Sequence, residues 1–406
     1  MNKLIAGLFG AALMTGAAFA DAGAPTPSAK DLSKAVEKVN YVETDVAGVR
    51  LNGYVDVGYL YNFYVGDNLL RHGSDAASGG NFNLNVVKLT VDKPLSNKNE
   101  WSAGFRADLM FGQDAGHFND AWLPGSASEF FLEQGYITAR APIGNGLDIK
   151  AGKFAAWLGY EATDRPANLN ITYGDIYGLL PATLTGVAVE YPINNSFSVG
   201  LAVGNGANLD FNDGTVLNGS VDHHDGYGIM AKLDYTVPGG NASWNNNVYY
   251  SWDAAGERDY SFTLLGDSFW STQSKNSLVI YDGVLNWVPK FTNGKLLLGA
   301  NYDLGNWAGV DHSTTFAAGA LYAKYQFTDV FSLAGRGTYV HANHATGAGE
   351  SVDLWSVTLT AGFNVVENLV IRAEYRFDLG NDRIQDGPTI LHDSGHTVAV
   401  QAVYTF

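Results

Sequence analysis

Charged side chains recur in this chain at every second position. Arg372, Glu374, Arg376 and Asp378 alternate with Ile371, Ala373, Tyr375 and Phe377. Arg106 and Asp108 alternate with Phe105, Ala107 and Leu109. Side chains two apart on a strand share a face, so each run places opposite charges side by side on one surface and apolar groups on the other. Such a face suits a water-filled space, where fields and hydrogen bonds handle polar solutes. It does not make a nucleophile, because no Ser/His or Asp/His constellation at a supporting spacing accompanies it. Asp56, Lys88, Asp148, Lys150 and Glu190 join the same wet face, as do Lys232, Asp234, Lys324 and Arg336.

Metal chemistry finds little support. His341-x-x-His344 and His223-His224 offer paired nitrogens without a carboxylate at a useful spacing, and Asp210-Phe211-Asn212-Asp213-Gly214 lacks the closing Glu of a calcium loop. No catalytic residue, metal or cofactor is expected. The chain has no Cys, which excludes disulfide scaffolds, thiolate zinc, iron–sulfur clusters and covalent haem. Lys+Arg number 24 against 41 Asp+Glu, a net charge of −17, which argues against nucleic acid as a partner.

The elements that must carry these residues follow from the same alternation. Hydrophobic residues make up 46% of the chain, yet mean hydropathy is −0.06. Apolar and polar residues are therefore finely mixed. Outside the N-terminus no apolar stretch of about 18 residues offers a membrane helix. From Leu51 onward the period is two, with Leu60 an exception on the wet face. Aromatics crowd both ends of the oily faces, as rings do at the two interfaces of a bilayer. Short connections, such as 142–146, 193–195 and 328–330, alternate with long ones, such as 155–181, 253–276 and 379–394. The expectation is an all-β, transmembrane, antiparallel up-and-down barrel of about 16 strands with long extracellular loops and short periplasmic turns. Counts of 14 or 18 stay open. Val86 and Val87 break one strand, Glu133 and Gln134 blur another, and residues 277–288 carry apolar groups on both faces.

Residues 1–20 read as a cleaved signal peptide, with Lys3, an apolar stretch and Ala18-Phe19-Ala20. Residues 21–48 read as a periplasmic linker holding either a short helix or a loose tether. Residues 49–406 form the expected barrel. The last strand ends Val403-Tyr404-Thr405-Phe406, and a terminal aromatic there suits the outer-membrane barrel assembly machinery as a partner.

From Gly53 to about Asn208 the chain resembles the OmpL-like β-barrel porin family (beta-barrel porin-2) of Gram-negative outer membranes. The resemblance rests on Phe82-x-Leu84, Leu89-x-Val91-x-Lys93-Pro94, and the run from Phe105-Arg106-Ala107-Asp108 to Leu109-Met110-Phe111-Gly112. It continues in Leu132-Glu133-Gln134-Gly135-Tyr136, Ala151-Gly152-Lys153-Phe154, Gly159-Tyr160-Glu161, Thr185-Gly186-Val187 and Glu190-Tyr191-Pro192. It implies an outer-membrane channel for passive diffusion of small hydrophilic solutes or ions, surrounded by outer-membrane lipid and lipopolysaccharide. A surface receptor or adhesin barrel without significant conductance is the alternative. Other porins of this strand number are often trimers, so a homotrimer is expected by analogy, and small outward residues such as Gly53, Ala103 and Ala107 would permit close packing.

In porins the loop after the fifth strand often folds inward. Here that loop, residues 155–181, holds Glu161, Asp164, Arg165 and Asp175. Glu161, Asp164 and Asp175 are expected to face Arg106, Arg336, Arg372 and Arg376 across the narrowest point, with Asp108, Arg165 and Glu374 beside them. The long loops carry 20 Asp and Glu against five Lys and Arg, so the mouth should favour cations mildly.

Overall fold

The computed structural model describes residues 42–43, 48–63, 79–120, 129–205, 226–253, 260–264, 267–271, 277–308, 313–344, 351–386 and 390–406. The expected signal peptide and the expected helix of the linker lie outside the described residues.

Sixteen strands form the barrel wall. The first eight are β1 (Arg50–Asn62), β2 (Gly79–Lys93), β3 (Ser102–Phe111), β4 (Phe130–Ala141), β5 (Leu147–Ala155), β6 (Thr183–Pro192), β7 (Phe197–Asn205) and β8 (Gly226–Thr236). The rest are β9 (Ala242–Asp253), β10 (Ser277–Trp287), β11 (Leu296–Ala308), β12 (Ser313–Gln326), β13 (Phe331–His344), β14 (Ser351–Val366), β15 (Leu369–Asp386) and β16 (Ile390–Thr405). Each pairs antiparallel with its chain neighbour, and β16 returns to β1, with Thr397 opposite Asn62 and Thr405 opposite Tyr54. The terminal Phe406 completes the seam by exchanging two backbone hydrogen bonds with Gly53. A Cβ at Gly53 would lie 2.9 Å from the Phe406 ring, so this small residue is covered by the C-terminus and is no open packing surface.

Alternation sorts the two faces. On β1, Val57 and Tyr61 are exposed outward, whereas Tyr54, Asp56 and Leu60 are buried inward. An apolar outer face and a charged inner face follow from the cost of a charge in lipid, about 2–4 kcal/mol for Lys or Arg at the midplane.

Two of the weak segments are β-bulges. Asn85 is an extra residue between the Asp56–Val86 and Val57–Leu84 pairs, and Glu133 is extra between Asp108–Gln134 and Leu109–Leu132. A bulge turns two successive side chains to one face. Both insert a polar group inward, where Asn85 donates to Asp56 (2.7 Å) and Glu133 pairs with Lys88 (2.5 Å). The third weak segment, β10, faces Leu278, Ile280 and Val284 inward because a loop covers them.

Several long connections are shorter than expected, because β11, β13, β15 and β16 extend into residues 305–308, 341–344, 379–386 and 390–394. Residues 253–276 contain an unexpected hairpin, Tyr260–Leu264 with Asp267–Ser271. After β3 the chain forms a helix, α1 (Gln113–Asp120), where a loop was expected, and its Asp114, Ala115 and Phe118 are buried.

Candidate functional site

The loop between β5 and β6 folds into the barrel. Its neck is closed by the Ala156 N–H donating to Ala182 O (3.0 Å). Gly159 turns the chain at φ +82°, where a Cβ would meet Leu180 at 2.9 Å. From there the loop crosses the lumen and reaches strands on the far side.

One arm rests on an apolar seat. Trp157, Leu158, Tyr160, Leu179 and Leu180 share one buried cluster with Met230, Leu278, Ile280, Leu297 and Tyr322. Tyr160 stacks on Tyr322 with centroids 3.9 Å apart and rings 12° from parallel, over the bare backbone of Gly299. The Lys232 ammonium lies 4.8 Å from the Trp157 ring, a cation–π contact, and is paired with Glu190 and Asp234. Two backbone N–H groups fix the height of this arm. Gly159 donates to Asp282 (3.0 Å) and Tyr160 to Asn301 (3.1 Å).

The other arm rests on charge. Arg336 of β13 donates to Glu161 (2.5 Å) and to the Thr172 carbonyl (2.6 Å). Arg376 of β15 donates to Asp175 (2.5 Å), to the Tyr173 carbonyl (2.5 Å) and to Asp378 (2.7 Å). Asp175 also accepts from the hydroxyls of Thr338 (2.5 Å) and Ser356 (2.8 Å). Burial alone would push the Asp175 carboxyl up; Arg376 and these hydroxyls outweigh it and hold it below the usual carboxylate value. Glu374 accepts from the Ile171 N–H (2.5 Å), the Thr172 N–H (3.0 Å) and the Thr172 hydroxyl (2.5 Å). Arg165 grips Asp114 of α1 with two bonds of 2.5 and 2.6 Å and lies 3.8 Å from Asp56. Lys88 pairs with Asp164 (2.5 Å), Glu133 (2.5 Å) and Asp108 (3.3 Å), and Arg106 donates to Asp108 (2.9 Å).

All ten expected residues thus lie inside the barrel, but one expected relation changes. Glu161 and Asp175 touch Arg336 and Arg376 directly instead of facing them across open space. Among the described residues Arg372 donates to the Arg165 and Pro166 carbonyls, at 3.4 Å each. The side chains of Asp164 and Arg106, 32% and 29% exposed, are the charges at the loop's water-facing edge. Sequence reasoning missed Glu133, Asp114, Thr338 and Ser356. For Glu133 the blurred alternation was the available signal; the others carried none.

A closed antiparallel barrel with an oily exterior, a charged interior and a loop drawn into its lumen is a porin of the bacterial outer membrane. The chain belongs to the family described as "Putative beta-barrel porin-2, OmpL-like", whose model matches residues 48–406. No curated protein matches the sequence. Solved structures share the fold at low identity. OmpT of Vibrio cholerae in its trimer form is 12% identical, covering 88% of this chain and 99% of that one, with a TM-score of 0.58. An anion-selective porin from Comamonas acidovorans is 12% identical over 88% of this chain and 99% of that one, at 0.56. Salmonella typhi OmpF in complex with daunomycin is 13% identical over 90% and 100%, at 0.57.

Proposed function

We propose that this porin is a passive channel for small hydrophilic solutes and ions, narrowed by the loop of residues 156–182 and not an enzyme. The observation that carries this reading is the loop itself, which crosses a charged lumen and leaves Asp164 and Arg106 at its wet edge. Arg106, Asp108, Glu161, Asp164 and Arg165 then define the narrow zone together with Asp175, Arg336, Arg372, Glu374 and Arg376. The acidic outer loops enrich cations at the mouth, an effect that fades with salt because the Debye length falls from about 10 Å at 0.1 M to about 3 Å at 1 M. Planar-bilayer recording tests both parts. Steps of conductance in KCl are expected, with a reversal potential favouring K⁺ at low salt. A chloride preference there would refute the loop argument.

The dense docking of the loop favours one second reading, a closed barrel that serves as a surface receptor; the absence of conductance in the same recording would select it. The proposed assembly is a homotrimer, and sedimentation in mild detergent showing one barrel per particle would reject it. Export is proposed to remove residues 1–20 and leave 21–48 as a periplasmic linker, which the mass of the mature chain checks.

A further inference from the structure

Nearly every inward cation of the charged seat is matched to a carboxylate. Lys324 of β12 is different. It is 9% exposed, and among the described residues it has no hydrogen-bond or ion-pair partner. Among the described residues the charged group that acts on it is Arg372, of like sign. Arg372 has Asp56 and Glu374 in its surroundings, but both are already engaged. Asp56 accepts from Asn85 and Gln401, and Glu374 from Ile171, Thr172 and Thr360.

Register shows what lies between the two cations. Lys324 stands opposite Ala334, Ala334 opposite Thr360, and Thr360 opposite Glu374. One inward step nearer the short turns, Gln326 stands opposite Ser332, Ser332 opposite Gly362, and Gly362 opposite Arg372. β12 and β15 are three strand spacings apart, about 14 Å between backbones. Two long side chains on a curved wall can close on that gap. Ala334 and Gly362 put almost no side chain into it, and a Cβ at Gly362 would lie 2.8 Å from the Ser332 hydroxyl. That hydroxyl is a further donor with no partner among the described residues. Tyr322, one inward step above Lys324, is stacked on Tyr160, so the loop roofs the recess.

We propose that Lys324, Arg372 and Ser332 form a binding recess, on the short-turn side of the inward loop, for the oxyanion group of a small solute, a carboxylate or a phosphate. A guanidinium and an ammonium with a hydroxyl between them match the planar or tetrahedral oxygens of such a group. The negative mouth lies on the other side of the loop, so the recess fills from the periplasmic side. The inference rests on the channel reading in supposing that solutes pass this point.

The test uses the full-length barrel in planar bilayers and, separately, in detergent. Inorganic phosphate or succinate added on the short-turn side is expected to reduce the KCl current, and to do so at lower concentration than from the loop side. Lys324→Gln and Ser332→Ala should raise the half-blocking concentration, the first by about tenfold or more, as expected for loss of a charge-assisted hydrogen bond. Lys290→Gln, on an exposed short turn, should leave it unchanged. Equal block in wild type and Lys324→Gln, or no block by either anion, overturns the recess. Which anion blocks at the lower concentration identifies the group. A barrel silent in KCl overturns the channel reading instead. Line broadening of phosphate (phosphorus) and of succinate (proton) in detergent then still reads the recess: broadening that Lys324→Gln removes supports it, and broadening that is absent for both anions or survives the substitution overturns it.

Discussion

The inward loop has two seats that hold it by different physics. Trp157, Tyr160, Leu179 and Leu180 press on apolar groups of β8 and β10–β12, where burial is non-directional and tolerates small shifts. Glu161, Arg165, Thr172 and Asp175 lock onto β13–β15 and α1, where each contact needs one partner at one distance. The seats therefore fail differently. An apolar seat loses contacts in proportion to what is removed. A buried ion pair adds little over an apolar filling but costs several kcal/mol when one member is lost. The apolar seat supplies adhesion and the charged seat supplies position.

The largest effect should follow from Arg376→Gln. It leaves Asp175 and Asp378 without their shared guanidinium, a cost of about 3–5 kcal/mol when a buried pair is broken. The equilibrium constant for docking the loop should fall by roughly a hundredfold or more. Higher, noisier single-channel current and protease cutting within 156–182 of the folded barrel are the readouts. Wild-type records from this variant would show that the charged seat does not hold the loop.

Leu179→Ala probes the other seat. Leu179 is fully buried, and its truncation should cost about 2–3 kcal/mol, low in the Leu→Ala range because a loop can settle into the space. Conductance should rise less than for Arg376→Gln and without discrete opening. An equal or larger change would mean that adhesion, and not the arginines, fixes the loop.

The two seats also differ in how legible they were. Alternation marked the strand faces and the inward charges, because a strand's side-chain period is fixed by its backbone, and the aromatic ends with the short and long connections pointed to the barrel. The apolar seat was visible only as an anomaly, the inward Leu278, Ile280 and Val284 of β10. A strand with oil on both faces needs a cover, and the cover lies about a hundred residues away in the chain. The bulges at Asn85 and Glu133 were equally opaque, since an extra residue is defined only against its partner strand. The members of the charged seat stand in the sequence as inward charges and loop charges, but their contacts do not. Glu161 and Arg336 are 175 residues apart, and no spacing rule says whether they touch or face each other across water.

Acid should sharpen the contrast further, with a smaller effect. Asp175 is held below the ordinary carboxylate value by Arg376, Thr338 and Ser356 against the opposing push of burial. A carboxylate lowered in the docked state stabilises that state at every pH above its undocked value, about 3.9, and the contribution is lost as pH falls through the lower, docked value. The current should therefore stay level from pH 7 to about pH 4 and rise only in more acid solution. A rise between pH 7 and pH 5 would assign control to a group other than Asp175.

The smallest effect is expected at two carboxylates of the apolar seat that have no cation partner among the described residues. Asp282 and Asp303 stand opposite each other on β10 and β11, buried beneath the apolar arm. Asp282 is satisfied by neutral donors, the Gly159 N–H and the amides of Asn301 (3.0 Å) and Asn247 (2.7 Å). Asp303 places a second carboxyl group beside it and, among the described residues, makes no ion pair to the loop. Asp303→Asn keeps the shape and gives Asp282 a further N–H donor, so stability should change by about 1 kcal/mol or less, within the range of one neutral hydrogen bond. The melting temperature of the barrel on unheated gels should stay near wild type and the loop should resist protease. Asp175→Asn, which removes the negative charge that pairs with Arg376, should fail both tests. If the two asparagine variants behaved alike, pairing with arginine would not be what separates the charged seat from the apolar one.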